Sequence, residues 1–356
     1  MADSTTSAFQ KGLDASKVEY AQVGTSGLRV SVPILGAMSF GSSKWAPWVL
    51  DEDESVELLK AAYDRGINTW DTADMYSNGL SEEVVGKAIK KYDIPREKLV
   101  LLTKCALGVG EQPDVHIAHM GDVPGKHKDY VNRTGLSRGA IFKSVDAALK
   151  RLGTDYIDLF QIHRFDATVP VEETMRALHD LVQAGKIRYI GASSMWATQF
   201  AQMQFVAERN GWTKFVSMQN FWNLVYREEE REMIRFCKQT GVGILPWSPL
   251  YGGKLARPLG DYDSVRSSGQ GLANPTLTPV DEQIVRRVEE IAKKKGWSMS
   301  HVALGWLVSK GAIPITGFNS LKRIDEACEL RGKTLTEEEA KYLEEPYVPR
   351  DVIGHF

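Results

Sequence analysis

The sequence predicts an α/β fold in which eight parallel strands close into a (β/α)8 TIM barrel. Short apolar runs alternate along the chain with amphipathic helical segments, and parallel strands need such helical crossovers. The apolar runs are Ile34 to Ala37, Ile67 to Trp70, Leu99 to Thr103, Tyr156 to Ile162, Ile187 to Ala192, Val216 to Gln219, Gly243 to Trp247 and Ile313 to Thr316. A doubly wound open sheet is the alternative fold that the same alternation allows.

The segment before the first barrel strand is predicted to hold an arm and a hairpin. Residues 1–17 lack a basic segment followed by an apolar stretch, so they do not resemble a secretory signal and are expected to form a loose arm. The sequence EYAQVGTSGLRVSV then alternates around Thr25-Ser26-Gly27, as a β-hairpin does. Because the later strand signals are regularly spaced with no linker between them, residues 18–356 are predicted to form a single domain.

Helical periodicity is expected between the strands and after them. The segments are Asp53 to Arg65, Ser81 to Lys91, Arg138 to Leu152, Val171 to Ala184, Thr198 to Asn210, Glu228 to Thr240, Asp281 to Lys295, Ser300 to Lys310 and Leu321 to Leu330. Ser81 is expected to cap its helix. Two long loops, 106–137 and 251–280, are predicted on the carboxyl-terminal face of the barrel, either as lids over the site or as disordered segments.

Composition narrows the classes of function. The 356 residues include 44 basic and 46 acidic side chains, which gives no sign of a nucleic-acid partner. No apolar run approaches the roughly 18 residues of a membrane span. The cysteines, Cys105, Cys237 and Cys328, form no CxxC pair, so neither a disulfide framework nor a metal site is expected and a cytoplasmic location fits best. The expected partner is a small molecule.

Ionisable residues follow three of the predicted strands. Asp71 and Tyr76 follow GINTW, Lys104 ends KLVLLTK and His163 ends YIDLFQIH. The carboxyl ends of barrel strands form the active-site face. Each residue alone is explained more simply as a turn cap, a packing residue or a core histidine, but their joint placement on one face favours catalysis.

These four side chains make a consistent proton-transfer set. A free phenol titrates near ~10, so Tyr76 needs a neighbour that stabilises its phenolate, and Lys104 is suited to this. Asp71 would keep Lys104 charged, and His163 would hydrogen-bond the substrate oxygen. No Ser/His/Asp nucleophile and no cluster of metal-spaced histidines is evident, so a hydride-carrying cofactor is the expected partner.

At these residues the chain resembles the aldo-keto reductases. The segments INTWDTADMYSNGLSEEVVGKAI, VLLTKC and LFQIHRFD look like the catalytic segments of that family in order and spacing, and the likeness extends from Glu19 to Leu330. It is closest to the fungal, channel-β-subunit-like branch, which includes versiconal hemiacetal acetate reductase and aryl-alcohol dehydrogenases. The resemblance implies that Tyr76 is the general acid, that Lys104 and Asp71 tune it and that His163 orients the carbonyl.

The resemblance also implies NADPH as cofactor, in preference to NADH. Arg323 is the expected contact of the adenosine 2′-phosphate at a helix start, and Trp247 would stack on the nicotinamide. The full set of expected cofactor contacts is Gly36, Met38, Asp71, Ser193, Ser194, Gln219, Trp247, Ser248, Pro249, Leu250, Gly252, Lys254, Gly317, Asn319, Arg323 and Glu326. The pair Phe318-Asn319 departs from the small hydroxyl residues of many relatives, which bears on coenzyme preference.

The resemblance implies reduction of an aldehyde or ketone, and the tryptophans suggest that it is aromatic or bulky and apolar. Tyr76, His163, Trp45 and Trp48 are the expected substrate contacts, with Trp196 and Trp222 as further candidates for the pocket wall; anchoring of loops to the barrel rim explains each tryptophan equally well. A regulatory subunit that senses redox state through its bound nucleotide is the alternative function. A Schiff-base aldolase using Lys104 is less favoured, because Asp71 would keep the amine charged. The sequence leaves the substrate and the oligomeric state open.

Overall fold

The computed structural model describes residues 9–10, 12–117, 120–121, 123–261 and 276–355. Residues 1–8 of the expected arm and 262–275 of the second long loop lie outside this set. The described arm residues 9–10 and 12–15 are helical and exposed, which the sequence analysis did not predict. No helix in the described ranges is long and apolar enough to cross a membrane.

The predicted hairpin covers the end of the barrel opposite the expected site. Its antiparallel strands are β1 (Glu19–Gln22) and β2 (Arg29–Val32). The N–H of Ser31 donates to the hydroxyl of Thr69 at 2.9 Å, at the start of a barrel strand. Gly24 has φ +56, and a Cβ there would lie 2.1 Å from the carbonyl oxygen of Gly241. Only glycine allows this turn to approach the barrel so closely.

Eight parallel strands form the barrel. They are β3 (Ile34–Gly36), β4 (Thr69–Asp71), β5 (Val100–Cys105), β6 (Ile157–Ile162), β7 (Ile187–Ser193), β8 (Phe215–Gln219), β9 (Gly243–Ile244) and β10 (Ile315–Gly317). Their order is β10-β3-β4-β5-β6-β7-β8-β9. The N–H groups of Ile313 and Ile315 donate to the carbonyls of Ile244 and Pro246, both at 2.9 Å. These bonds join the last strand segment to the seventh, so the barrel is closed and the predicted TIM barrel is confirmed.

Helices surround the barrel. They are α1 (Glu52–Asp64), α2 (Leu80–Lys91), α3 (Arg138–Leu152), α4 (Val171–Gln183), α5 (Ala197–Asn210), α6 (Met233–Thr240), α7 (Pro279–Lys295), α8 (Met299–Ser309), α9 (Leu321–Cys328) and α10 (Glu337–Glu344). Each predicted helical segment overlaps one of them, although Glu228–Glu230 forms a separate 3-10 turn before α6. Helix α10 was not predicted, although its Thr336 and Glu339 form a capping box.

The expected capping role of Ser81 is wrong. Helix α2 begins at Leu80, after Gly79, and the Ser81 hydroxyl makes no cap. Instead it donates to the carbonyl oxygen of Ala37 and accepts from the hydroxyl of Thr72, both at 2.8 Å. Ser81 thus ties α2 to the loops after β3 and β4.

Strand register gathers polar side chains at the carboxyl end of the barrel. Lys104 on β5 lies opposite Gln161 on β6, and Ser193 on β7 lies opposite Gln219 on β8. All of them are buried, as is Asp71 at the end of β4. Because buried polar groups need partners, this end of the barrel should hold a connected polar network.

Candidate active site

Asp71, Lys104 and Tyr76 form a buried chain. The ammonium of Lys104 donates to Asp71 Oδ2 at 2.6 Å and lies 3.4 Å from the hydroxyl of Tyr76. It also donates to the carbonyl oxygen of Thr72 at 2.8 Å. Lys104 has no exposed surface, and Tyr76 is 9% exposed. The predicted grouping of these three residues therefore exists in the structure.

The second oxygen of Asp71 is held by two glutamines. Asp71 Oδ1 accepts from Gln161 Nε2 and from Gln219 Nε2, both at 3.0 Å. Gln219 was expected as a cofactor contact, whereas Gln161 was not predicted at the site. The available signal was an amide inside the otherwise apolar run LFQI, two residues before His163 and thus on the same face of β6.

Burial and charge act in opposite directions on Tyr76. Burial raises the pKa of Tyr76, Lys104 lowers it, Asp71 raises it and Arg164 lowers it, and the net direction is upward. The expected effect of Lys104 is present but is outweighed by burial, so the phenol keeps its proton at neutral pH. For Lys104, burial lowers the pKa while Asp71 and Tyr76 raise it, and the net direction is also upward. The lysine is therefore a cation.

His163 faces Tyr76 as a neutral ring. The backbone N–H of His163 donates to the carbonyl oxygen of Cys105 at 2.8 Å, and the centroid of its ring lies 5.9 Å from that of Tyr76 in an edge-to-face arrangement. Burial, Arg164 and Lys104 hold the pKa of His163 well below its usual value. A neutral imidazole beside a protonated phenol can hydrogen-bond a carbonyl oxygen without adding charge.

Strained backbone is concentrated on the same face. Ser77 and Asn78 follow β4, Ser194 follows β7, and Ser248 and Tyr251 follow β9, all with positive φ. Non-glycine residues adopt this conformation infrequently, and such strain is found preferentially at functional sites. Its distribution here agrees with an active site formed by the loops after several strands.

The tryptophans expected near the substrate lie in the loops that follow β3, β7 and β8. Trp45 lies 6.0 Å from Trp48 and 5.4 Å from His116 between ring centroids, so the loop after β3 meets the loop after β5. Trp196 is 40% exposed. Trp222 is instead buried against Trp306, so it anchors a loop and does not line the pocket.

The residues expected around a nicotinamide lie together. Trp247 packs on Phe221 with ring centroids 4.5 Å apart, and its indole N–H donates to the hydroxyl of Ser194 at 3.0 Å. The hydroxyl of Ser193 donates to the carbonyl oxygen of Gln219 at 2.8 Å. One indole face is therefore occupied by Phe221, while its edge is fixed by Ser194.

The segment after β9 carries two cations. Ser248, Pro249 and Leu250 lead into the 3-10 turn Tyr251–Ala256, which contains Gly252. The N–H of Gly252 donates to the hydroxyl of Ser248 at 3.3 Å. Burial and the neighbouring Arg257 lower the pKa of Lys254. Arg257 was not predicted; its signal was a second basic residue in GGKLAR.

The expected 2′-phosphate region surrounds the start of α9. Ser320 caps the helix by accepting from the N–H of Arg323, and Asn319 is exposed beside it. Arg323 donates to Glu326 at 2.9 Å, and Glu326 also accepts from Ser300. The two residues expected at the adenosine end are thus bound to each other.

Two glycines bring the first and last barrel strands together near this region. Gly36 on β3 lies opposite Gly317 on β10, and Met38 follows in the 3-10 turn Ala37–Ser39. A Cβ at Gly36 would lie 3.0 Å from Ile315. The cofactor contacts expected at the ends of β3 and β10 therefore lie next to each other.

Comparison with known proteins agrees with this arrangement. The family model described as the Aldo/keto reductase family matches residues 34–347. The chain belongs to the aldo/keto reductase family. It is 54% identical over 356 residues to an aldo-keto reductase of Fusarium vanettenii, covering 98% of this chain and 96% of that protein. It is 52% identical over 340 residues to the versiconal hemiacetal acetate reductase of Aspergillus parasiticus, covering 94% of this chain and 98% of that protein.

A solved structure also matches this aldo/keto reductase. The thermostable aldo-keto reductase Tm1743, crystallised with the inhibitor epalrestat, superposes with a TM-score of 0.71 at 28% identity, covering 92% of this chain and 100% of that one. The family consists of oxidoreductases that act on carbonyls and use nicotinamide cofactors. The predicted family, its fungal branch and the barrel are confirmed.

Proposed function

We propose that this protein reduces an aldehyde or ketone to the alcohol with NADPH, using Tyr76 as the general acid. The observation that carries the proposal is the chain from Asp71 through Lys104 to Tyr76. A protonated phenol supported by a charged lysine is suited to giving a proton to an oxygen that becomes negative. We further propose one barrel domain over residues 18–356 and a cytoplasmic location.

The side chains on the carboxyl face fit a dinucleotide. Bound NADPH would supply the hydride for the carbonyl carbon. Trp247 offers an aromatic surface, and Ser193 and Ser194 offer hydroxyl groups beside it. Lys254 and Arg257 place positive charge in one turn, which suits a pyrophosphate.

A phosphate on the adenosine ribose would be held at the start of α9. Arg323 lies in the first turn of this helix, where N–H groups favour an anion. Its present partner Glu326 also accepts from Ser300, so Arg323 can turn to a phosphate without leaving that carboxylate unpartnered. This arrangement supports NADPH over NADH.

The protein groups act on the substrate oxygen. Neutral His163 and the hydroxyl of Tyr76 would both hydrogen-bond this oxygen, and Tyr76 would transfer its proton as charge develops there. Lys104 stabilises the resulting phenolate because its ammonium lies 3.4 Å from the phenol oxygen. Asp71 keeps Lys104 charged throughout.

The rim supports an aromatic or bulky apolar carbonyl. Trp45 and Trp48 contact each other edge to face, and flat aromatic substrates pack well against such rings.

The decisive experiment follows NADPH absorbance with purified protein across aromatic, aliphatic and ketonic carbonyls. Wild type should turn over at least one class, and Tyr76→Phe should lose at least ~10²-fold in kcat, as removal of a general acid does, with NADPH affinity nearly unchanged. Full activity in Tyr76→Phe would reject the mechanism. Tight NADPH binding without turnover of any carbonyl would instead favour the redox-sensing subunit.

The geometry disfavours the aldolase alternative. A Schiff-base lysine must lose its proton to attack a carbonyl, whereas Lys104 is paired with Asp71 at 2.6 Å and its pKa is raised. Borohydride trapping of a carbonyl compound on Lys104 would restore that alternative.

A further inference from the structure

Arg164 is a cation at the site that the proposed proton transfer does not use. It directly follows His163, and its Nη1 donates to the carbonyl oxygen of His163 at 2.6 Å. The side chain is only partly exposed. Its charge lowers the pKa of Tyr76, of His163 and of His355, so it acts on both the catalytic pair and the C-terminal segment.

Most partly buried arginines elsewhere in the described chain have carboxylate partners. Arg96 pairs with Asp158, Arg151 with Glu82 and Arg350 with Asp281. Among the arginines of intermediate exposure that the structure describes, Arg164 and Arg257 alone lack such a pair. Arg257 belongs to the cationic turn already attributed to the cofactor. Arg164 has no comparable explanation.

Asp166, the acidic residue nearest to Arg164 in sequence, is not its ion-pair partner. The carboxylate of Asp166 accepts from the N–H of Leu136 at 2.8 Å and from the N–H and hydroxyl of Thr168 at 2.9 and 2.6 Å. Asp71 is likewise engaged with Lys104 and the two glutamines. No described carboxylate therefore balances Arg164.

The guanidinium retains accessible donors. Among the described residues, only Nη1 of Arg164 has a hydrogen-bond partner. Nε and Nη2 have no partner there, yet neither is a fully buried nitrogen. These two groups therefore contact solvent-accessible space. A partly desolvated cation without a countercharge is unfavourable, and a planar fork of N–H donors matches a carboxylate.

We propose that Arg164 binds a carboxylate of the substrate, so that the preferred substrates are carbonyl compounds carrying a carboxylate group. This inference rests on the proposed carbonyl reduction, because the carboxylate is held while Tyr76 and His163 bind the carbonyl oxygen. Lys104 does not compete for the anion, since Asp71 already neutralises it.

Charge-matched substrates test the inference in the wild type. Turnover at saturating NADPH is measured for 2-, 3- and 4-carboxybenzaldehyde and for the matching carboxamides. At least one acid should exceed its carboxamide roughly tenfold to a hundredfold in kcat/KM, the range of one hydrogen bond to a charged group. Equal values at all ring positions, or a preference for the carboxamides, would overturn the proposal.

Variants test whether Arg164 causes the preference for the acid over the carboxamide. Arg164→Met should remove it by raising KM for the acid, and Arg164→Lys should retain part of it. Arg235→Met is the control: it removes one arginine charge at an exposed position of the outer helix α6 and should leave the ratio of acid to carboxamide in place. If Arg164→Met changes the pH profiles of acid and carboxamide equally and leaves their ratio intact, Arg164 acts only on Tyr76 and the inference is wrong.

A binding measurement separates this inference from the proposed function. Calorimetry with benzoate and benzamide in the presence of NADP+ should show benzoate binding to wild type that weakens roughly tenfold or more in Arg164→Met, with thermal unfolding confirming that each variant is folded. A wild type that reduces no carbonyl yet binds benzoate through Arg164 contradicts the proposed function alone. Active protein that does not distinguish benzoate from benzamide contradicts the carboxylate site alone.

Discussion

The side-chain amide of Asn78 donates to the carbonyl oxygen of Gln112 at 2.7 Å. The same nitrogen lies 2.8 Å from the carbonyl oxygen of Val115, and its amide oxygen accepts from the N–H of Gly110 at 2.9 Å. Asn78 is two residues beyond Tyr76 and has φ +53. One side chain therefore fixes the loop after β5 to the turn that carries the proposed acid.

Asn78→Ala should release this loop from the turn. The expected result is a rise in KM for carbonyl substrates and a smaller loss in kcat, because the pocket wall moves while the Lys104–Tyr76 contact stays. Alanine at positive φ should also lower the free energy of unfolding by about 1–2 kcal/mol. Steady-state kinetics and urea unfolding measure the two effects.

Asn78→Asp is the control for backbone strain. Aspartate tolerates positive φ almost as asparagine does and keeps an acceptor for Gly110, but it cannot donate to the two carbonyls. If the aspartate variant retains wild-type KM, the hydrogen bonds to Gln112 and Val115 do not position the loop.

Arg323→Ala should weaken NADPH binding far more than NADH binding. Loss of a charged hydrogen bond to the 2′-phosphate corresponds to roughly a tenfold to hundredfold rise in Kd for NADPH. The comparison is made by fluorescence titration with both coenzymes. Lys322→Ala, at the exposed neighbouring position, is the control. Equal losses for NADPH and NADH would remove Arg323 from the phosphate site.

The repeating strand and helix signals were sufficient to predict the barrel, because burial of each strand between core and helices leaves apolar runs with regular spacing. The grouping of Asp71, Lys104 and Tyr76 followed from the same reasoning, since strand ends of a barrel converge. These inferences needed only the position of a residue on its strand.

Other features depend on contacts that single positions do not encode. Asn78 meets Gln112 only through the path of a long loop, and Arg164 stands out only because no described carboxylate pairs with it. The raised pKa of Tyr76 reflects the balance between burial and the charge of Lys104, and this balance depends on the distance between the two side chains. Ser81 has the sequence signature of a cap, yet tertiary hydrogen bonds to Ala37 and Thr72 determine its role.

Asp71→Asn should destabilise the fold as well as reduce turnover. Lys104 has no exposed surface, so removal of its carboxylate leaves a buried charge without a partner, at about 3–5 kcal/mol in unfolding free energy. Urea unfolding tests this value. Asp325→Asn, which breaks the more exposed pair with Arg65, should lose less than ~1 kcal/mol. Similar losses in both variants would contradict the buried charge of Lys104.

Asp74 gives a prediction for stability against pH. It is buried, its Oδ2 accepts from the hydroxyl of Ser144 at 3.0 Å, and its Oδ1 has no partner among the described residues. Burial is the largest cause and the charge of Glu82 the second, and together they raise the pKa of Asp74 from 3.8 to about 7, although Arg151 and Ser144 lower it. The folded state therefore holds a proton that the unfolded chain releases near its usual pKa.

Between pH 3.8 and about 7, Asp74 binds more protons in the folded state than in the unfolded state. Its contribution therefore makes the free energy of unfolding fall as pH rises through this window. Above that window both states are ionised and the destabilisation is complete. Asp74→Asn removes the buried charge, which stabilises the fold at high pH. It also places an N–H without a partner at the position of Oδ1, which cancels part of that stabilisation. The variant should therefore exceed wild type by about 1–3 kcal/mol at pH 8 and, because this N–H is unpartnered at every pH, fall below wild type near pH 4, as measured by urea unfolding across this range. Asp155→Asn, at an exposed position, should keep the wild-type slope; an Asp74→Asn curve parallel to wild type would show that Asp74 is ionised in the fold throughout.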